Sequence, residues 1–256
     1  MLKAKTLKMW LAFVVSMTAF VGQAAEAPAD VNTQDLVDRG ALYWSGNGIA
    51  RDVEKACALF EEAANLGNAY AQYGLGNCYR TGQGKPKDLP AALRQYELAA
   101  ASGDLSAKLA LANLYLYDAS VDLRQPTVAI QLLNELVVPT KRSFIHDNVR
   151  KNAELVLGTA YYRGLGVEKN DETAVAWYEL AAEHGNPLAQ VLLYEIYSGR
   201  TDYKVPANVQ RAKFWRDTYE MLEELQAKMQ PGEVRTLSAA IHYLTDRGWV
   251  AMKTAD

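Results

Sequence analysis

The strongest constraint on the fold of this chain is a tyrosine that returns at a fixed interval of 36 residues. The residues that follow this spacing are Tyr43, Tyr79 and Tyr115, and then Tyr161 and Tyr197. The same interval separates three further pairs, which are Asp52 and Asp88, Ala63 and Ala99, and Gly67 and Gly103. A period of this length is typical of stacked repeats, in which each unit buries its apolar face only against its neighbours. We therefore expect an extended array, and such arrays present long surfaces that usually hold other macromolecules.

Each period reads as two amphipathic helices joined by a turn. In the second unit the apolar and small residues at helical spacing are Ala71, Gly74, Leu75, Cys78 and Tyr79, followed by Ala91, Ala92, Tyr96, Ala99 and Ala100. Between them, Gly82-Gln83-Gly84 predicts a turn with positive φ. The pairs Gly67-Asn68, Gly103-Asp104 and Gly185-Asn186 each predict a helix end followed by the N-cap of the next helix. These signals favour an all-α chain of helix-loop-helix units.

At these positions the chain resembles the Sel-one-like repeat (SLR) family, a relative of the tetratricopeptide repeats. The resemblance covers about residues 33–220, and its motifs are Gly46-Asn47-Gly48 with Ala63-Ala64, Tyr79 to Gly84 with Ala99-Ala100, and Leu157-Gly158 through Gly164-Leu165-Gly166 to Ala181-Ala182. It implies an α/α superhelical solenoid of about five repeats and, commonly, an adaptor role. Families of this kind are not catalytic as a rule, so the resemblance implies neither an enzyme nor a cofactor.

Two units depart from the repeat. In the third, Asp118-Ala119-Ser120 stands where the glycine turn is expected, and the step from Tyr115 to Tyr161 is ten residues too long. We place the excess in a loop over 138–147 that contains His146, with Ser143 or Asp147 as the cap of a longer helix. The fifth unit replaces its turn glycines by Gly199-Arg200-Thr201-Asp202.

The two ends of the chain predict different roles. Lysines at 3, 5 and 8, an uncharged run over 9–21 and small residues before Ala25 are typical of a secretory signal peptide over 1–24. The run is short for a membrane span, so we expect cleavage and an exported, periplasmic protein that does not cross the membrane, with an uncleaved anchor as the alternative. Residues 221–256 predict a pair of capping helices, with a break at Pro231-Gly232 and a last helix over 233–246.

The two cysteines of the chain predict a disulfide. The turn between their helices is centred between Gly67 and Asn68, which puts Cys57 and Cys78 at the same height in an antiparallel pair. Export to an oxidising compartment would favour the bond, although two buried free thiols are the alternative. A cysteine-rich SLR subgroup, associated with β-lactam binding or hydrolysis, resembles this chain less. Its cysteines match Ala64 and Gln72 here, and neither position is Cys.

The sequence holds no pattern that predicts catalysis. It has no nucleophile elbow, no S-x-x-K, no H-E-x-x-H and no metal-spaced cysteine pair. His146 is next to Asp147 but the pair is an ordinary loop feature, and His184 lies where a helix end favours a positive charge. We therefore expect no catalytic, cofactor-binding or metal-binding residues.

The remaining candidate is a recognition surface on the first helix of each unit. If those helices line the concave side, their non-core residues face a partner, and these are Tyr70, Tyr73, Asn77, Lys108, Asn113, Tyr117, Asn152, Thr159, Tyr162 and Tyr194, with Glu195 beside the last. Tyr and Asn suit protein or peptide contacts, although several of the tyrosines could instead pack between units. A net charge of −3 argues against nucleic acid as the partner. The sequence thus favours an exported protein-interaction scaffold, with a hydrolase or binding protein for cell-wall or β-lactam compounds, or a secreted host-interaction factor, as alternatives.

Overall fold

The computed structural model describes residues 32–117, 123–138 and 144–228, and within these ranges the chain forms ten α-helices and no β-strand. The helices are α1 (Thr33–Ser45), α2 (Val53–Asn65), α3 (Ala69–Thr81), α4 (Leu89–Ala101), α5 (Leu105–Tyr117), α6 (Pro126–Val137), α7 (Phe144–Arg163), α8 (Asp171–Glu183), α9 (Pro187–Tyr197) and α10 (Val209–Lys228). The predicted signal peptide over 1–24 and the predicted final helix over 233–246 lie outside the described residues.

The ten described helices form five consecutive hairpins, which we call units one to five. Each helix packs against the one before it and the one after it, and α5 of unit three also packs against α7 of unit four. We refer to α1, α3, α5, α7 and α9 as the first helices and to the others as the second helices. The predicted solenoid of about five helix-loop-helix repeats is therefore confirmed.

The periodic tyrosines close each unit through their backbone. The carbonyl oxygen of the tyrosine accepts a hydrogen bond from the N–H of the residue that caps the second helix, as between Tyr43 and Asp52 at 3.0 Å. The same bond recurs in all five units, with Tyr79 and Asp88, Tyr115 and Gln125, Tyr161 and Asn170, and Tyr197 and Asn208. Units three and five keep it although their loops differ in sequence. The register of the two helices is thus set by a main-chain bond that does not require the glycine turn.

The junctions between units follow the predicted stop-and-start signal. Gly67, Gly103 and Gly185 all have positive φ, between 78° and 90°, as the helix-ending geometry requires. The residue after each glycine bonds back to the preceding helix, as Asn68 N–H does to the carbonyl of Ala63 at 3.1 Å. Its side chain then caps the next first helix, since Asn68 Oδ1 accepts from Ala71 N–H at 3.0 Å.

Most of the extra residues between Tyr115 and Tyr161 lengthen the first helix of unit four and do not form a loop. The first helix α7 has 20 residues, whereas α1, α3 and α5 each have 13. The expectation that a longer helix follows residue 138 is confirmed, but His146 and Asp147 lie in the first turn of that helix, so their placement in a loop was wrong. At the other end, α10 runs without a break across the predicted boundary at residue 220.

Three buried clusters of side chains make up the core of the described residues. They centre on the small and apolar faces of α1–α3, α4–α7 and α8–α10. Among the periodic tyrosines, Tyr115 and Tyr197 are buried, whereas Tyr43, Tyr79 and Tyr161 are half-buried at the edge of the core. The burial of these five tyrosines agrees with the role expected for them, which is packing between units. Among the helices that the structure describes, none has the length and apolar character that crossing a bilayer requires.

Candidate functional site

A groove of about 830 Å³ runs along the first helices of units two, three and four. Its walls come from α3, α5 and α7, together with Lys87 in the loop before α4 and Leu89 at the start of α4. The periodicity explains this location, because the same helix position returns in each unit and repeated side chains line up along the array. The lining residues include Tyr73, Asn77, Arg80, Lys87, Asn113 and Asn152.

The groove brings together half of the residues predicted to bind a partner. Tyr73, Asn77, Asn113, Tyr117 and Asn152 all line it. The other predicted residues lie elsewhere, namely Tyr70, Lys108, Thr159, Tyr162 and Tyr194. Lys108 forms an ion pair with Glu135 of α6 at 2.7 Å, and Thr159 is bonded to the hydroxyl of the buried Tyr178 at 3.4 Å. Both side chains are therefore engaged with other residues of the chain.

The last tyrosines of the predicted set belong to a separate surface near units four and five. The ring of Tyr162 stacks on Tyr203 with centroids 4.0 Å apart, and its hydroxyl bonds to Asp202. Tyr194 packs against the guanidinium of Arg200, 5.1 Å from the ring centroid. These contacts show packing of the rings within the chain, which is the alternative that the sequence left open for several tyrosines.

The orientation of the Asn77 amide is set from inside the protein. Arg80 Nε donates to the hydroxyl of Tyr96 at 3.1 Å, and that hydroxyl lies 2.8 Å from Asn77 Oδ1. A guanidinium can only donate, so the tyrosine oxygen accepts a hydrogen bond from Arg80, and the tyrosine hydroxyl donates one to the oxygen of Asn77. The NH₂ group of Asn77 is then the end of the amide that remains for the groove.

The amide of Asn152 is oriented in the same way by a different chain of bonds. Asn186 Oδ1 accepts from the backbone N–H of Ala189 at 3.1 Å, so its amide nitrogen must point the other way. That nitrogen donates to Asn152 Oδ1 at 3.0 Å and lies 3.3 Å from the carbonyl oxygen of Lys151. Because the N–H of Ala189 can only donate, Asn186 presents its oxygen to Ala189 and its nitrogen to Asn152. Asn152 therefore accepts with Oδ1, and its NH₂ group remains for the groove.

Two further amides stand in the groove between these ends. Asn113 of α5 and Asn148 of α7 are half-buried lining residues. Within the described ranges no residue hydrogen-bonds to either side chain. Polar groups that the fold leaves without a partner at a half-buried site are suited to hydrogen bonds with a ligand or with water.

The charges of the groove have one sign. Arg80 and Lys87 line one end, and no Asp or Glu is among the described lining residues. This local excess of positive charge contrasts with the net charge of −3 of the whole chain. Burial raises the pKa of Tyr96 to about 12, an effect that the neighbouring Arg80 partly offsets. The phenol therefore keeps its proton at neutral pH and goes on donating to Asn77.

A row of aromatic rings leads to the groove from unit one. Neighbouring ring centroids lie 6.1 to 6.5 Å apart along the series Trp44, Phe60, Tyr70, Tyr73 and Tyr96. Tyr70 is 48% exposed at the surface of this row. Tyr70 does not line the groove, but its exposed ring offers apolar area with a polar tip, which is the type of surface that protein contacts favour.

The predicted disulfide joins units one and two. Cys57 of α2 and Cys78 of α3 are bonded, with their Cα atoms 6.1 Å apart, and both are fully buried. The bond therefore lies in the core, outside the groove lining, and it ties α3 to the preceding unit. The prediction of a pair at equal height on adjacent antiparallel helices is confirmed.

The histidine of the fourth junction has a partner that the sequence did not indicate. His184 Nδ1 lies 2.6 Å from Glu154 Oε2, and Arg150 Nε lies 3.0 Å from the other oxygen of that carboxylate. Glu154 is only 1% exposed, so two donors surround a carboxylate that would otherwise be buried without compensation. This cluster is a link between α7 and the end of α8. In the part of the chain that is described, no three His, Cys, Asp or Glu residues are placed to hold a metal ion.

The comparisons with known proteins follow the same unit boundaries. Residues 38–68, 69–104 and 152–186 match the family model of the Sel1 repeat. The matched segments lie in units one, two and four, and the unmatched units three and five are those whose turns depart from the repeat. The chain is thus a helical repeat protein that contains three Sel1 repeats.

Solved structures show the same fold. A Sel1 repeat protein from Oxalobacter formigenes is 22% identical, with 91% of this chain and 88% of that chain covered and a TM-score of 0.54. A protein from Klebsiella pneumoniae subsp. pneumoniae, described as a sel1 repeat protein, is 19% identical, covers 74% and 86% of the two chains, and has a TM-score of 0.50. At these identities the likeness concerns the fold alone.

Proposed function

We propose that this protein is an exported binding scaffold that holds a segment of another protein along the first helices of units two to four. The observation that carries the proposal is the groove of about 830 Å³, which crosses three successive units and is lined by repeated polar side chains. Solenoids of helical repeats commonly use such extended surfaces to bind protein partners. The presence of Sel1 repeats supports this class of function over catalysis.

A polypeptide segment suits the groove better than a compact molecule does. The amides of Asn77, Asn113 and Asn152 are contributed by three different first helices, so their hydrogen-bonding groups are spread along the array. An extended main chain offers carbonyl and N–H groups at regular spacing, which such a row of amides can satisfy. The ring of Tyr73 supplies apolar contact area beside them.

The proposal of export rests on the amino-terminal pattern and is supported by the Cys57–Cys78 bond. Structural disulfides persist in oxidising compartments and are rare in a reducing cytosol. Mass spectrometry of the protein from the periplasmic fraction should give a chain that begins near Ala25 and has no alkylatable thiol. Recovery from the culture medium would indicate a secreted factor, and recovery of an uncleaved chain with two free thiols from the cytosol would refute export.

Site-specific photo-crosslinking in intact cells tests the groove itself. A photoreactive phenylalanine at Asn113 should trap a discrete protein partner, because this residue lines the groove and bonds to no other described residue. The matched control carries the same group at Arg94, an exposed residue of α4 that is not part of the groove. Mass spectrometry of the adduct then identifies the bound segment. Equal trapping at both positions, or trapping only at Arg94, would contradict the proposal.

A further inference from the structure

We infer that the groove selects acidic segments, with a carboxylate held at the end formed by Asn77, Arg80 and Lys87. This inference rests on the proposed function and names the chemistry of its partner. The three residues line the same end of the groove, and the described lining residues include no carboxylate that would compete with such a ligand. An acceptor with negative charge is the complementary partner of a site that presents donors and cations.

The bonds inside the protein make the groove a donor surface. An unrestrained asparagine offers both an acceptor and two donors, and would accept an amide ligand as readily as a carboxylate. The oxygen of Asn77 is occupied by the hydroxyl of Tyr96 at 2.8 Å, and the oxygen of Asn152 by Asn186 at 3.0 Å. Each chain of bonds starts at a group that only donates, Arg80 in one case and the N–H of Ala189 in the other. Neither amide can therefore turn its oxygen to the ligand without leaving a donor of the fold unpaired.

Arg80 and Lys87 add positive charge to these hydrogen-bond donors at one end of the groove. The guanidinium of Arg80 is exposed apart from its bonds to Tyr96 and Asn77, and Lys87 is exposed with no ion pair to a described residue. Hydrogen bonds from neutral and charged donors to a carboxylate are shorter and stronger than those to an amide oxygen. The carboxylate of an Asp or Glu side chain, in a segment that continues past Asn113 and Asn152, satisfies all of these groups.

The test selects ligands without assuming a partner. A phage-displayed library of random heptapeptides is panned against the immobilised protein, against Asn77→Asp and against Asn113→Trp, which fills the groove. The wild-type protein should enrich peptides with Asp or Glu at one position. Asn77→Asp can still accept from Tyr96 and Arg80, so it should fold, but it replaces the donor by a negative charge and should lose that enrichment. Melting temperatures of the variants confirm that they are folded.

Affinity measurements with the enriched peptide then distinguish the contribution of its charge to binding from that of its shape. Replacing its acidic residue by Asn or Gln should weaken binding about tenfold, as expected for loss of a hydrogen bond to a charged group. Lys87→Gln should weaken the acidic peptide selectively, whereas Arg94→Gln, which removes the same charge outside the groove, should have little effect. Tyr96→Phe releases the amide of Asn77, so the preference for acid over amide should fall even where total binding persists.

The outcomes distinguish the two proposals. Peptides that bind equally to Asn113→Trp would bind outside the groove, which would overturn the proposed function together with this inference. Peptides that bind in the groove without enrichment of acidic residues, or that prefer basic ones, would overturn the inference and leave the proposed function standing.

Discussion

The ring of Tyr96 lies so close to Gly76 that a methyl group would not fit between them. A Cβ atom built on Gly76 would be 2.5 Å from Cε1 of Tyr96, which is far inside van der Waals contact. The same close contact between a glycine and a ring twenty residues later occurs in unit one, between Gly40 and Phe60, and in unit four, between Gly158 and Tyr178. In unit three both partners change, because the corresponding helices carry buried Ala112 and Leu133. The size of one residue thus follows the size of the other along the array.

Gly76→Ala should destabilise the protein although alanine favours helices. Replacing a helical glycine by alanine ordinarily stabilises by about 0.5–1 kcal/mol, but the new methyl group would overpack the ring of Tyr96 at a cost of about 1–3 kcal/mol. The double variant Gly76→Ala, Tyr96→Leu reproduces the pair of unit three and should recover part of the loss. Urea denaturation of the two single variants and the double variant measures the coupling. Strictly additive effects would show that the two side chains do not constrain each other.

Removal of the Cys57–Cys78 bond should lower the free energy of unfolding by about 3 kcal/mol, because the loop that it closes spans 21 residues. The variant Cys57→Ala, Cys78→Ala measures this in urea, with the wild-type protein in reductant as the matched comparison. Wild-type unfolding should depend on reductant, and that of the variant should not. If the variant and the oxidised wild type unfold at the same urea concentration, the bond has no role in stability.

Asn186→Asp should be far more harmful than Asn68→Asp, although both residues cap a first helix. At Asn68 a carboxylate still accepts the capping bond from Ala71, and its charge suits the helix amino terminus. At the 2% exposed Asn186 the same change replaces the donor to Asn152 by a carboxylate oxygen facing two acceptors. We expect a loss of about 2 kcal/mol or more for Asn186→Asp alone. Equal melting temperatures for the two variants would contradict the bond arrangement that orients Asn152.

Stability should fall between about pH 10 and pH 12 in a way that depends on Tyr96. Burial raises the pKa of this phenol to about 12 in the folded protein, above its ordinary value of 10.0. The contribution of Tyr96 to the free energy of unfolding is fully present below pH 10. It is lost as the pH rises through the pKa of the folded protein, because between pH 10 and pH 12 the phenol ionises readily only in the unfolded chain. Tyr96→Phe should flatten that part of the profile of unfolding free energy against pH. An unchanged slope in the variant would show that Tyr96 is not protected from ionisation.

The fold was predictable because its determinants are repeated. The junction glycines and their following caps, such as Gly67 and Asn68, encode local geometry that needs no tertiary context, and the period shows how units succeed each other. The disulfide was predictable from the register of two adjacent helices together with the expected export. The placement of His146 in a loop failed because the excess residues continue a helix, which a break in periodicity cannot distinguish from an insertion.

The groove was only half predictable for a physical reason. Helix position identifies Asn77 and Asn113 as residues that leave the core, but it does not say which such residues the fold then engages. Lys108 meets Glu135 across 27 positions, and Asn186 reaches Asn152 across 34. One further signal is present in the sequence, namely the spacing of twenty residues from Gly76 to Tyr96 and its counterparts. That spacing places the phenol beside Asn77.

The most direct test of the account is the NMR spectrum of the asparagine side chains during binding. The segment identified by crosslinking, or the enriched acidic peptide, is titrated into ¹⁵N-labelled protein while the side-chain NH₂ signals are followed. The account predicts that the NH₂ signals of Asn77, Asn113 and Asn152 shift together in a saturable way, while that of Asn208, which caps α10 outside the groove, does not. Saturable binding that leaves these three signals in place and shifts residues of the second helices would contradict it.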